Sequence, residues 1–425
     1  MFEPILTKRC TLPHSESIEV YLANDGYQAA RKALLELTPN ELIEMVRASG
    51  LRGRGGAGFP AGLKWRFMPQ DDSTRYVCVN TDEGEPGTFK DRILVEGDPH
   101  QVIEGALIAA YAVGAHRALV YIRGEFFLGV KRWIKAISDA YRLGFLGHNI
   151  LGSGFDLDMT VHRGAGAYVC GEETAMIESL EGRRGEPRRK PPYPSERGYL
   201  GQPTLVHNVE TLANVPHIVL HGPAWYAAMG TPQSTGPKLF CVSGHVFRRG
   251  TYELPLGTPL RGIIEQHAGG VPGGKRIKGV IPGGASTPVL TPDQLDVTMD
   301  FESLAAVESA LGTGAIVVLN EDTCMVDVAR RHARFFAHES CGRCSPCRIG
   351  SRRLVALLEG LEAGTGSVAD VDEIALICRN IVGTTFCPLG DALAAAVGSC
   401  VTRFRDEFVA HARSLPASVP HRQAA

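Results

Sequence analysis

Residues 38–58 read TPNELIEMVRASGLRGRGGAG, and residues 76–85 read YVCVNTDEGE. The order of these two stretches decides the fold class. Thr38-Pro39-Asn40-Glu41 is a helix start, with Thr as cap, Pro in the first position and Glu in the third. The pattern predicts a helix over Pro39 to Ala48 that stops near Gly50. Gly53-Arg54-Gly55-Gly56-Ala57-Gly58 then matches G-x-G-x-x-G. The dinucleotide fingerprint requires a strand before those glycines and a helix after them. Here a helix precedes, so an ordinary Rossmann turn is excluded. What remains is backbone bare enough to approach a planar ring or a phosphate. Arg52, Arg54 and Lys64 offer positive charge, and Phe59, Trp65 and Phe67 offer stacking surface.

Outward from this loop, strands and helices alternate. A strand over Tyr76 to Val79 ends in the acidic turn Asn80-Thr81-Asp82-Glu83-Gly84-Glu85. Helices are expected over His100 to Val113 and Phe127 to Leu143, with strands over Arg117 to Ile122 and Leu157 to Val161. A second loop, Gly164-Ala165-Gly166, leads to a helix near Glu172. The alternation predicts an α/β sheet domain that ends near residue 225. Lys238 to Phe247 and Thr251 to Leu254 read as a hairpin, a short helix follows Thr258-Pro259, and Ile316 to Leu319 is a last strand. Helical patterns then cover Ala329 to His338, Ile349 to Leu361, Val371 to Asn380 and Asp391 to Ala410. The expected domains are 1–235, an α+β unit over 236–325 and a helical bundle over 326–413. A disordered tail is expected over 414–425.

Composition narrows the class. The chain has 425 residues, is 44% hydrophobic and 21% charged, and carries a formal net charge of −2. This suits a globular protein of several domains. No basic stripe points to nucleic acid. The apolar stretch Gly105 to Ile122 is interrupted by His116-Arg117, so no membrane span is expected. The Met1-Phe2-Glu3-Pro4 start has neither a charged nor an apolar leader region. Eleven cysteines, three of them within seven residues, look like ligands rather than a disulfide framework.

Those three form Cys341-Gly-Arg-Cys344-Ser-Pro-Cys347. A cubane cluster needs one thiolate per iron corner, and this spacing lets one turn present three sulfurs to it. The fourth must come from elsewhere. Ferredoxin-type sites often place Pro after the remote cysteine, and Cys387-Pro388 fits at a helix joint. Cys378 and Cys400 fall inside predicted helices and fit less well. Zinc sites usually pair C-x-x-C with a second distant pair, which is absent. The sulfurs therefore point to one [4Fe–4S] cluster. At the sheet end, Asn80, Asp82, Glu83 and Glu85 could accept hydrogen bonds from ribose or ribityl hydroxyls and a carboxamide. Gly164-Ala-Gly166 reads as an anion-friendly loop at a helix N-terminus. Together these parts suggest a nucleotide site, a two-electron carrier and a one-electron exit.

The segments Gly53 to Gly62, Asn80 to Gly87, Gly164 to Glu173 and Glu339 to Cys347 closely resemble those of the flavoprotein component of respiratory NADH:quinone oxidoreductase, complex I (the F subunit, of the 51 kDa type). The resemblance spans nearly the whole chain. It implies a Rossmann-like FMN and NADH domain, a ubiquitin-like (β-grasp) α+β domain and a C-terminal helical bundle carrying the [4Fe–4S] cluster. FMN would touch Gly53, Arg54, Gly55, Gly56, Ala57, Gly58, Lys64, Asn80, Asp82, Glu83, Gly164, Gly166, Gly171, Glu172, Asn208 and Thr211. NADH adenine would lie among Phe59, Phe67 and Tyr193, with Lys190 near the phosphates, Glu85 on the carboxamide and Glu173 on a ribose. Cys341, Cys344, Cys347 and Cys387 match the cluster ligands.

The implied reaction is hydride transfer from NADH to FMN, then single electrons to the cluster, to partner subunits and to quinone. The implied partners are a [2Fe–2S] 24 kDa-type subunit and a large iron–sulfur subunit. They would hold the chain peripherally on the cytoplasmic side of a bacterial inner membrane. Three positions depart from the family pattern. His207 stands for a common Asn and could perturb a flavin contact. Tyr193 stands for Phe and keeps a stacking face. Ile349 stands for Glu beside the cluster, and losing that charge would raise the cluster potential. A diaphorase subunit of an NAD-linked hydrogenase or formate dehydrogenase uses the same motifs. Such subunits often carry an extra N-terminal domain ahead of the first glycine loop; here 52 residues precede Gly53, which favours the expectation of complex I.

Overall fold

The structure is a computed structural model, and it describes residues 2–413. The tail expected over 414–425 lies outside the described residues. Helices α1 (Ile18–Ala23), α2 (Gln28–Glu36) and α3 (Pro39–Ala48) precede the first glycine loop, and α4 (Ala61–Arg66) follows it. The capping box that starts α3 is formed. Glu41 N donates to Thr38 Oγ1 at 3.3 Å, and Thr38 N donates to Glu41 Oε2 at 2.8 Å. Then come β1 (Tyr76–Thr81), α5 (Asp91–Gly97), α6 (Pro99–Val113), β2 (Arg117–Ile122), α7 (Phe127–Arg142) and β3 (Asp158–Arg163). After α8 (Glu173–Leu180) and α9 (Pro194–Arg197), β4 (Thr204–Asn208) runs into α10 (Val209–His221) and α11 (Pro223–Ala227).

The four strands form one parallel sheet, in the order β3-β2-β1-β4. Alternate residues point to opposite faces of a strand, so β1, β2 and β4 each feed two cores. Val77, Val79, Ala118, Val120, Ile122 and Leu205 join a core with α1–α3, α5–α7 and α10. Cys78, Tyr121 and Val206 join a second core with α8 and the C-terminal helices. Burial on both faces is why β1 and β2 read as nearly continuous apolar runs, whereas the edge strand β3 is polar and largely exposed. The arrangement is Rossmann-like, a parallel sheet covered on both sides.

The second sheet is mixed. It holds β5 (Pro237–Gly244), β6 (Gly250–Pro255), β7 (Ile277–Ile281) and β8 (Ala315–Asn320), in the order β6-β5-β8-β7. The hairpin β5–β6 is antiparallel, β5 runs parallel to β8, and β7 is antiparallel to β8. Between them, α12 (Leu260–Gly262) continues into a π turn over Ile263–His267, and α13 (Phe301–Ala306) precedes β8. The rest is helical: α14 (Met325–Glu339), α15 (Ser345–Glu362), α16 (Val368–Ile381), α17 (Leu389–Arg403) and α18 (Arg405–Arg413).

The sequence pattern misses some elements. Strands β4 and β7 are short and carry His207-Asn208 and Gly279, which mask their period. The single helix expected over Asp391 to Ala410 is two, broken at Phe404 with φ −122° and ψ 30°. No Pro or Gly marks that break. The Phe404 ring instead reaches across to β7, where a Cβ on Gly279 would meet it at 3.3 Å. A tertiary contact overrides helical propensity there. No helix among the described residues is long and apolar enough to cross a membrane.

Candidate functional site

Four segments meet at the C-terminal ends of β1 and β4, where parallel sheets bind ligands. The register sets Asn80 beside Asn208. A Cβ on Gly55 would approach Asn208 Cβ to 3.0 Å, so only bare backbone fits between loop and strand. Arg54 N donates to Thr211 Oγ1 at 2.8 Å. Asn80 Nδ2 donates to the Gly171 carbonyl at 2.9 Å, and a Cβ on Gly171 would lie 3.4 Å from the Asp82 carbonyl. Gly56 has φ +132°, and a Cβ there would meet nothing within 4 Å. The first glycine loop thus walls an open cradle.

The crowded carboxylates of the acidic turn diverge. Asp82 is buried, its Oδ2 has no hydrogen-bond partner among the described residues, and burial pushes it up to about 7. Glu83 turns inward and accepts from Asp91 N at 2.7 Å. Burial and the neighbouring Asp91 push it up, also to about 7. Glu85 leans on the second sheet unit, accepting from Tyr168 OH at 2.6 Å and Ser286 N at 2.6 Å. Beneath the turn lies an ion network absent from the sequence reading. Lys90 Nζ is 2.7 Å from Asp91 and 2.8 Å from Glu210, and Lys238 Nζ is 2.6 Å from Glu210. Burial alone would raise Glu210, but Lys238 and Lys90 overcome it and lower it. Asn208 Nδ2 donates to Asp91 Oδ2 at 2.7 Å, so this network fixes the amide that caps α10.

The cationic partners expected for the first loop differ in part. The Arg54 side chain is buried and donates to Tyr226 OH and to the carbonyls of Arg52, Thr235 and Pro237. Arg52 pairs with Glu302. Both guanidinium groups serve the seam between the loop and the second sheet unit, not a phosphate. Lys64 does face the site: its Nζ is 2.8 Å from Glu173 Oε2 and 2.9 Å from the Val206 carbonyl. Lys190 Nζ lies 2.9 Å from Glu172 and 2.8 Å from Glu173. Burial would raise Glu173, but Lys64 and Lys190 bring it down to about 2.

The second glycine loop is not a bare helix N-terminus. It enters a 3-10 turn over Tyr168–Gly171, and α8 is capped by Glu172 itself, which accepts from Thr174 N and Ala175 N. A Cβ on Gly164 would strike Tyr121 OH at 2.7 Å, and one on Gly166 would strike Glu125. These glycines allow close packing, so the loop's anion-binding capacity is smaller than its sequence suggests. His207 accepts from Trp65 Nε1 at 2.8 Å, and burial pushes it down to about 3, which keeps it neutral. It faces α4 rather than the cradle.

Phe59 and Phe67 stand at the rim, 46% and 53% exposed, with ring centroids 6.3 Å apart. Tyr193 is 53% exposed and makes no ring–ring contact with either. An exposed pair of rings is a stacking platform.

At the cysteines, Cys341 and Cys344 precede α15, Cys347 lies in its first turn, and Cys387 sits in the joint between α16 and α17. Burial pushes the Cys387 thiol up to about 12, with smaller contributions from Glu172, Cys341 and Cys347, and burial pushes Cys347 up, with smaller contributions from Cys341 and Cys344. Phe386 N donates to Cys344 Sγ at 3.3 Å, and Ser340 Oγ lies 3.2 Å from Cys347 Sγ. Cys378 and Cys400 are buried within α16 and α17. Among the described residues no three His, Cys, Asp or Glu side chains converge on a single metal ion. A spread thiol set fits a cubane, which takes one sulfur at each corner. The donor chemistry fits the cluster, and the Gly56 cradle with the orphaned Asp82 oxygen fits a polyhydroxyl group.

Three family descriptions match the chain. Residues 46–217 match the Nuo51 FMN-binding domain, residues 238–318 the SLBB domain, and residues 327–411 the NADH-ubiquinone oxidoreductase-F iron-sulfur binding region. An NADH-quinone oxidoreductase F subunit of Rhizobium meliloti, numbered 2 in that organism, is 52% identical over 97% of this chain and 98% of its own. The NADP-reducing hydrogenase subunit HndC of Solidesulfovibrio fructosivorans is 46% identical over 98% of this chain and 85% of its own. A crystal structure of an NAD+-reducing [NiFe]-hydrogenase in the air-oxidised state aligns with a TM-score of 0.83 and 37% identity, over 99% of this chain and 68% of that one. Near-complete coverage by such relatives, with both site regions matched, shows that the chain belongs to the family of NADH-quinone oxidoreductase F subunits.

Proposed function

We propose that this chain is the NADH-oxidising subunit of an NADH:quinone oxidoreductase, an NADH dehydrogenase that holds FMN and one [4Fe–4S] cluster. The observation that carries the reading is the loop over residues 164–190. It borders the cradle through Gly171 and the cysteine turn through Tyr168, so one segment serves an electron entrance and an electron exit. FMN, when bound, supplies a two-electron acceptor that can release electrons singly.

The protein's part is binding and orientation. Gly53–Gly58 would bring bare backbone to the flavin, and Asp82 and Asn80 would take its hydroxyls. Gly171 and Thr211, with the capping Asn208, complete this contact set. Lys64 and Glu173 flank it as a fixed ion pair. Glu83 acts from behind through α5. Glu85, steadied by Tyr168 and Ser286, keeps lone pairs for a carboxamide N–H. Phe59 and Phe67 would stack the adenine, with Tyr193 as a third ring. Lys190 would leave Glu172 for a phosphate. Cys341, Cys344, Cys347 and Cys387 would hold the cluster.

The domains in this reading are 1–235, a ubiquitin-like unit over 236–325 and a helical bundle carrying the cluster over 326–413. The 24 kDa-type [2Fe–2S] and large iron–sulfur subunits would hold it at the cytoplasmic face of the inner membrane. The hydrogenase relatives support a second reading, the diaphorase subunit of an NAD-linked hydrogenase. Rapid mixing of the purified complex with NADH tests the shared core: flavin absorbance bleaches within the mixing and turnover time, and an unbleached flavin sinks both readings. Identifying the copurifying subunits separates them.

A further inference from the structure

We propose that Glu339 is a positioning residue that couples the flavin loop to the cysteine turn, so that cluster and flavin hold one another in place; this rests on the function proposed above. Glu339 is the last residue of α14 and lies two positions before Cys341. A carboxylate there faces the negative end of the helix dipole, which is unfavourable without a donor. The donor comes from the other site. Tyr168 N gives its hydrogen to Glu339 Oε2 at 3.0 Å.

Tyr168 is tied at its opposite end to Glu85, through its hydroxyl at 2.6 Å. Its ring stands edge-on to Phe335 and Phe336 of α14, with centroids 5.1 and 6.2 Å away. One residue therefore spans from the carboxylate beside the cradle to the helix that delivers the cysteines.

Two further bonds close the same seam. Arg184 donates to the Cys341 carbonyl at 2.8 Å, and Arg343 donates to the Pro187 carbonyl at 2.8 Å. Whatever fixes the cysteine turn fixes the 164–190 loop, and the reverse holds with the same factor, because coupling between two sites is reciprocal. All three bonds have one ionised partner, but the Glu339 side chain is 18% exposed and that of Arg184 71%, so water screens the arginine bond more and Glu339 carries the larger share.

The test uses the purified complex with its partner subunits. FMN release is followed as a rise in flavin fluorescence after dilution, with iron and sulfide measured per chain. Glu339→Ala should release FMN about tenfold faster, the change expected for one charge-assisted hydrogen bond. Glu339→Gln keeps an acceptor oxygen and should stay within about threefold of the parent. Release at the parent rate from Glu339→Ala with a normal iron content overturns the proposal. Should Glu339→Ala lose its cluster, Arg184→Ala decides. Arg184 is largely exposed, so water screens its charged bond to the Cys341 carbonyl, and its loss should speed release about threefold; an unchanged rate overturns the proposal. Stripping iron with a chelator should speed release from the parent and add little in Glu339→Ala; equal acceleration in both also overturns it. A parent complex that carries no FMN sinks the functional reading instead.

Discussion

Around Glu210, two ammonium groups and the Leu239 N–H converge on a carboxylate with no exposed side-chain surface. Around Cys347, thiols from two joints gather with little more than Ser340 and Phe386 N to hold them. The floor of the cradle is completed by the protein's own charges during folding. The cysteine turn is left for a metal to complete, as in sites where ligand binding and ordering are one event. The first region is rigid because any unpaired charge there is costly. In the second the backbone is tied but the sulfurs are left with few partners, because a pre-bonded thiol would have to be freed before it could ligate.

Cys387→Ala should expose this contrast most sharply. The cluster is lost outright, read as absent iron–sulfur absorbance in the purified chain. The metal-free chain changes in stability by only about 1 kcal/mol, the ordinary size of a single substitution. A metal-free chain that unfolds would mean the turn is part of the folding core, and the contrast would fail. Retention of an intact cubane would instead remove Cys387 from the ligand set.

Glu210→Leu should do the reverse. It strands Lys90 and Lys238 in a dry interior, at a cost of about 3–5 kcal/mol. Urea unfolding measures the loss, and the cysteine turn should still load iron in the surviving folded fraction. A loss under about 1 kcal/mol would show that Asp91 alone satisfies both lysines.

Asp82→Asn probes the one floor carboxylate left without a partner. Burial raises its folded value to about 7, against an ordinary Asp near 3.9 when unfolded. Below about pH 4 both states are protonated and nothing is gained or lost. Between there and about pH 7 the folded state keeps its proton while the unfolded state releases it, so stability falls as pH rises. The amide removes that slope. In the flavin-free chain the variant should become the more stable one, by a gap that opens across this window to on the order of 4 kcal/mol. Thermal melts from pH 4 to 8 read it directly. A constant gap would mean that Asp82 is already ionised.

The sequence showed the two regions unequally, and for different reasons. The cysteine turn is local, so C-x-x-C-x-x-C and Cys387-Pro388 could be read off the chain. The α3 capping box and β2 were legible because their signals are also local. The ion network was not. Lys90, Asp91, Glu210 and Lys238 are scattered, and each alone reads as a surface charge; only the fold removes their water. The same blindness hid the direction of the Arg54 side chain, since nothing in Gly-Arg-Gly reveals that the guanidinium turns back toward Tyr226. It also hid the cap that Glu172 supplies to α8, and the break at Phe404.

The smallest effect belongs to the rim, which neither region builds. Phe67 is half exposed, so Phe67→Ala leaves the floor and the turn in place and should not move the melting temperature measurably. If its ring stacks the adenine, the loss is uniform binding: the bound substrate and the transition state weaken together. KM for NADH should then rise about threefold to tenfold, from a contact worth roughly 1 kcal/mol, with kcat unchanged. Phe59→Ala should behave alike, and the double variant should lose less than the product of the two, because the rings share one face. A fall in kcat at constant KM would place these rings against the reacting end of the nucleotide rather than the adenine. That outcome would move the entrance from the rim to the floor, where the Lys90, Asp91, Glu210 and Lys238 network is already paired and Asp82 Oδ2 is left without a partner.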